Sequence, residues 1–141
     1  MSQSTEYVQL QPGTAPPTIA GISRPFRAVL IIEAAVLPEW QNCVSDWLVQ
    51  SGCLYMMAWG ENCSSWDDSV DWANIHQFQP SGIPDNRFVM TTWHEEDAME
   101  EVFWFAKNNA CHPTVELERT VLVHISSRNR QTDLLKAYAE A

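Results

Sequence analysis

A chain of 141 residues, 45% apolar and 11% aromatic, is long enough for one globular domain with a real core. Its 18 acidic against 8 basic residues leave a net charge of −10, which argues against a phosphate backbone or an anionic membrane as partner, since both need clustered Lys and Arg. No apolar run reaches the ~20 residues of a membrane span, and the start MSQSTEYVQL lacks the basic and apolar segments of a secretory signal, so a cytoplasmic location is expected.

Residues 1–24 are rich in Ser, Gln and Thr, with breakers from Pro12 to Gly21. Neither a period of 2 nor one of 3.6 runs through them. They read as a mobile tail or an extended strap, and residues 25–141 as a single α/β domain. The run FRAVLIIE (Phe26 to Glu33) is continuous, apolar and of strand length. Pro38 opens a helix at its first position, where a missing N–H costs nothing. Trp40, Val44, Trp47 and Leu48 share one face, and Gly52 ends the element. CLYMMAW (Cys53 to Trp59) is a second strand. Ser64 or Ser65 is placed to cap a helix that reaches about Gln79, with Asp67 or Asp68 favourable in its first turn. RFVMTT (Arg87 to Thr92) is a third strand. Thr92 and Glu95 have capping-box spacing for a helix from Trp93 to about Ala110. RTVLVHIS (Arg119 to Ser126) is a fourth strand, and Gln131 to Ala141 a terminal helix. Buried runs alternating with helices predict a Rossmann-like βαβαβαβα domain: a four-stranded, mainly parallel sheet with helices on both faces.

Ligands of open parallel sheets bind beyond the carboxyl ends of the strands. Those ends carry Glu33, then Gly60-Glu61-Asn62-Cys63, then His94, then His124. Two chemistries are conceivable there. Cys63 precedes a helix N-terminus, a setting that favours the thiolate, with His94 or His124 as base and Glu33 nearby. His94, His124, Glu61 and Cys63 are also acceptable metal ligands, although they come from separate loops with no local spacing. The four cysteines, Cys43, Cys53, Cys63 and Cys111, form no C-x-x-C pair and read as free thiols. Phosphate-binding and serine-hydrolase motifs are absent, and no cofactor is implied.

The strongest feature is electrostatic. Residues 61–101 hold ten carboxylates and one basic residue, so this block carries nearly all of the net charge. Trp66, Trp72, Trp93 and Trp104 lie in or beside it. Helical spacing puts Trp66, Val70 and Ala73 on a buried stripe and Asp67, Asp68 and Asp71 opposite, with Trp72 at the border. On the next helix Ala98, Val102, Phe105 and Asn109 form the stripe, and Trp104 falls outside it with Glu100 and Glu101. Exposed Trp among acids is an interface composition: aromatic anchors, with charge to steer a basic partner.

Gly60-Glu61-Asn62 followed by Trp66-Asp67 resembles the G-E-N…W-D stretch of the barstar family, acidic intracellular inhibitors of a secreted ribonuclease. Glu101-Val102-Phe103, Ala106-Lys107, Cys111 and the strand ending Ile125-Ser126 are similar to that family's third helix and last strand. The likeness covers at most about half the chain. The Asn-to-Trp gap is one residue shorter here, and that family has no strand like Cys53 to Trp59 ahead of the motif and no helix after the last strand. The resemblance implies an inhibitor or immunity-type protein, with Asp67 matching an inhibitory Asp.

The reading favoured by the sequence is a non-enzymatic, cytoplasmic protein that binds a basic protein through Glu61, Asp67, Asp68, Asp71, Trp72, Glu100, Glu101 and Trp104 on its second and third helices. The alternative is a small enzyme or metal- or ligand-binding domain with its site at the strand ends.

Overall fold

Three apolar runs become strands buried on both faces. They are β2 (Phe26–Ile32), β3 (Cys53–Gly60) and β5 (Arg119–Ile125). In β2 and β5 all seven residues are buried, as a parallel sheet covered on two sides requires. The chain is seen here as a computed structural model that describes residues 3–19 and 24–141.

Helix α1 (Pro38–Ser51) starts at its proline. It stops at Gly52, whose φ of 104° lets its N–H reach the Leu48 and Val49 carbonyls. Helix α2 (Ser64–Gln77) buries Trp66, Val70 and Ala73, as their spacing predicts. Neither Ser64 nor Ser65 caps it: Cys63 is the N-cap residue, without a side-chain cap, and the Ser65 hydroxyl donates to the Asn62 carbonyl. A short 3₁₀ turn, Asp85–Arg87, leads into β4 (Met90–His94).

The expected capping box at Thr92 does not form, because β4 continues through His94. The helix, α3 (Met99–Asn108), starts six residues after Trp93, with Ala98 as its N-cap. Its buried stripe is Val102, Phe103 and Ala106, with Phe105 half-buried; of the expected stripe, Ala98 and Asn109 are exposed because they flank the helix as its N-cap and C-cap residues. Helix α4 (Gln131–Glu140) follows β5.

The sheet has five strands, not four. Ser4–Leu10, expected to be tail or strap, forms β1 and pairs in parallel with β5 along its whole length. It binds there because Val8 and Leu10 fill the core on one face while Tyr7 packs on the other. After it, residues 11–19 do run as a strap over α1. The Trp40 and Trp47 indole N–H groups donate to the Thr14 and Pro17 carbonyls at 2.7 and 2.6 Å. The rest of that expected segment, residues 1–2 and 20–23, lies outside the described residues.

The strand order is β1-β5-β2-β3-β4, all parallel. Helices α1 and α2 cover one face with Phe26, Ala28, Leu30 and Ile32; α3 and α4 cover the other with Val29, Ile31 and Leu122. From β2 the chain winds outward to β3 and β4, then crosses back through α3 to place β5 on the other side of β2. The winding therefore reverses between β2 and β5, the position where doubly wound sheets leave a crevice.

Candidate functional site

At that reversal four side chains meet. His124 ends β5, wholly buried, with its ring on the α3/α4 face. Its Nε2 bonds the Glu33 carboxylate at the end of β2, and its Nδ1 lies 2.7 Å from the Tyr7 hydroxyl of β1. The Arg130 backbone N–H donates to the Tyr7 oxygen at 3.0 Å, and the Arg130 guanidinium donates to Glu33 at 3.1 Å. One complete assignment satisfies every group. The Tyr7 oxygen accepts from Arg130 and gives its own proton to Nδ1; Nε2 then carries the ring proton and donates to Glu33. Glu33 and His124 were both candidates from sequence. Tyr7 and Arg130 were not, because nothing local in the sequence tells that residues 4–10 pair beside residue 124.

The other strand-end candidates lie elsewhere. His94 ends β4, where it bonds Thr92 at 2.9 Å and Asp97 at 2.9 Å and stacks edge-on to Phe105. Between β5 and β4 stand β2 and β3, and three strand spacings of about 4.8 Å put the two histidines roughly 14 Å apart. One ion cannot bridge that gap. Among the described residues no group of three or more His, Cys, Asp or Glu side chains is arranged to hold a metal. The alternative set His94, His124, Glu61 and Cys63 is thus not assembled.

Cys63 is 1% exposed. Burial pushes its thiol up, with the Glu95 charge adding to that, so the helix N-terminus does not make it a ready nucleophile. Glu61 is exposed on the turn beyond β3. That turn hugs β2: the Glu61 N–H donates to the Ile32 carbonyl at 2.8 Å, and a Cβ on Gly60 would stand 2.2 Å from the same oxygen. His112 orders the loop after α3, bonded to the Phe88 carbonyl and accepting the Thr114 and Val115 N–H groups.

The acidic residues form two surfaces where sequence suggested one helical face. Asp67, Asp68, Asp71 and Trp72 belong to α2, and Glu100, Glu101 and Trp104 to α3. These helices cover opposite faces of the sheet. What lies between them is β4, one of the sheet's two edge strands, paired among the described residues only with β3. Its Trp93 is 48% exposed, alongside Trp72 at 58% and Trp104 at 52%. Trp93 was noted in the acidic block from sequence but not counted as a site residue, because the third strand was expected to end at Thr92 and Trp93 to open the next helix. Asp71 reaches down from α2 to the Thr91 hydroxyl at 3.0 Å. Burial pushes its carboxyl up; the Thr91 hydrogen bond opposes this, and the charges of Asp67 and Asp68 add to it.

No curated protein and no solved structure matches the chain in the comparisons made. No described helix is long and apolar enough to cross a membrane. One family model matches residues 5–141, from the second residue of β1 to the chain's last residue, and the chain therefore belongs to the family described as a domain of unknown function, DUF7684.

Proposed function

We propose that this chain is an acidic binding protein that takes a basic protein partner along the open edge of β4. The observation that carries the reading is an outermost strand with one sheet neighbour and an exposed Trp93, between the acids of α2 and those of residues 95–101. An unpaired strand edge presents a row of N–H and C=O groups to an incoming extended segment. The flanking carboxylates attract Lys and Arg on that segment, and Trp93 and Trp72 supply the apolar anchors. The site comprises Asp67, Asp68, Asp71 and Trp72 on one side, Glu100, Glu101 and Trp104 on the other, with Glu61 at the strand-end corner. The barstar-like motif gives this reading its inhibitor or immunity-type form, in a cytoplasm that keeps the four thiols free.

The test is side-by-side affinity capture from the native host with the wild type and the Asp67→Lys/Asp68→Lys variant. A basic protein held stoichiometrically by the wild type, released by ~0.5 M salt and missed by the variant is expected, because that salt shortens the screening length severalfold. Identical capture by both proteins refutes the surface assignment.

A second reading rests on the Tyr7–His124–Glu33–Arg130 network at the sheet's reversal point. It would make the chain a small enzyme or ligand-binding domain with its site at the strand ends. A small molecule retained in native mass spectrometry, and lost in His124→Gln, would favour it.

A further inference from the structure

The amino ends of the strands hold a pocket of about 570 Å³ between β1, α3 and α4. Its charge runs against the rest of the molecule. Arg27 and Lys107 line it, and no Asp or Glu side chain does, in a chain with 18 acids and 8 bases.

Arg27 is only 7% exposed and takes part in none of the ion pairs among the described residues. Its described partners are neutral. Nη1 donates to the Thr120 hydroxyl at 3.1 Å and the Gln3 amide oxygen at 3.3 Å; Nη2 donates to the Leu117 and Ala110 carbonyls at 2.8 and 3.4 Å. Its buried Nε has no partner. A buried cation without a counter-charge is costly, and proteins ordinarily supply the anion.

The network continues across the pocket. Thr120 bonds the Tyr138 hydroxyl at 3.2 Å, and Lys107 Nζ sits 5.4 Å from the centre of the Tyr138 ring. Lys107 spends its three donors on main-chain oxygens of Tyr138, Ala139 and the last residue, Ala141, so it has no hydrogen bond left for the pocket and contributes only its charge. Gln3 is exposed, and its long contact to Nη1 occupies the place an anionic oxygen would take. The half-exposed Trp104 indole supplies a flat wall.

We propose that this pocket binds a small aromatic carboxylate. Its carboxylate displaces the Gln3 amide from Arg27 and accepts from Nη1, in the positive field of Lys107. Its ring lies against Trp104. The pocket shares only Trp104 with the flank of the proposed β4-edge surface; Arg27, Lys107, Thr120 and Tyr138 belong to the pocket alone.

The test is calorimetric or ligand-observed NMR titration of the full chain with benzoate, benzamide and inorganic phosphate. Benzoate is expected to bind, and benzamide, the same ring without charge, at least about tenfold more weakly. Lys107→Met removes an exposed charge and should weaken benzoate by about fivefold. Trp104→Ala removes the wall and should weaken it by a similar factor. Both residues are exposed, so both variants should fold. Arg27→Lys, checked for folding by circular dichroism, should lose binding beyond detection. The proposal is overturned by no benzoate binding at roughly 10 mM, by equal binding of benzamide, by phosphate binding in place of benzoate, or by indifference to both exposed substitutions.

Discussion

Removing one oxygen, by Tyr7→Phe, tests whether the first strand is an integral part of the domain. The phenyl ring keeps its packing beside α4, so the substitution isolates the hydroxyl. That hydroxyl serves two partners, His124 Nδ1 at 2.7 Å and the Arg130 N–H at 3.0 Å. His124 is 0% exposed, so water cannot replace the lost contact, and a buried polar atom left unpaired costs about 1–3 kcal/mol. The Arg130 N–H is nearer the surface, where water takes over most of its bond. A loss of about 2 kcal/mol follows, a large share of the ~5–15 kcal/mol typical of a domain. At roughly 3–4 °C per kcal/mol for a chain of this size, the melting temperature should drop by ~6–8 °C. Urea unfolding followed by Trp fluorescence gives the free energy directly, and the m-value reports whether β1 has come loose. A change under about 0.5 kcal/mol, the range of inert surface substitutions, would refute the reasoning and return residues 4–10 to the status of a loose tail.

Asp71→Asn keeps an acceptor for Thr91 and removes charge repulsion from Asp67, four residues away, so the helix should gain about 0.5 kcal/mol. The sign with pH is fixed: because the folded protein raises the Asp71 pKa, its contribution is most favourable below the ordinary carboxylate range and is lost as pH rises through the raised value. Wild type and variant should therefore converge in urea midpoint at acid pH and diverge near neutrality; a destabilised Asn variant at pH 7 contradicts this. Gly60→Ala forces a Cβ to within 2.2 Å of backbone at a φ of 107° and should cost at least ~3 kcal/mol, so an unshifted unfolding midpoint would show that the turn beyond β3 is misdescribed. Of the four thiols, exposed Cys43 and Cys111 should react promptly with Ellman's reagent in the native protein. Cys53, its thiol pushed up to about 12 by burial, and Cys63 should wait for denaturant; a third fast thiol counts against the described core.

Local chemistry carried most of the elements. FRAVLII and RTVLVHI carry apolar residues on both faces, which marks them as central strands, and Pro38 and Gly52 bound α1 by what a missing N–H and a missing side chain permit. The charge block between residues 61 and 101 was equally plain, since net charge is a property of composition. The first strand was not legible: STEYVQL is too polar to read as a strand until β5 supplies a register for Val8, Leu10 and Tyr7. The start of α3 was missed because a nearby capping box outranked, by sequence alone, a strand that tertiary pairing prolongs to His94.

What only the tertiary structure decided is which residues are neighbours. Strand order put Glu33 beside His124 and kept His94 about three strand widths away, although all three end strands and look alike in sequence. The crossover after β4 put α2 and α3 on opposite faces, so that acids contiguous in the chain flank an open strand edge instead of forming one helical surface. Periodicity and charge are local, and one strand's worth of residues is enough to show them. The side of the sheet on which a helix returns depends on where every other strand has already paired.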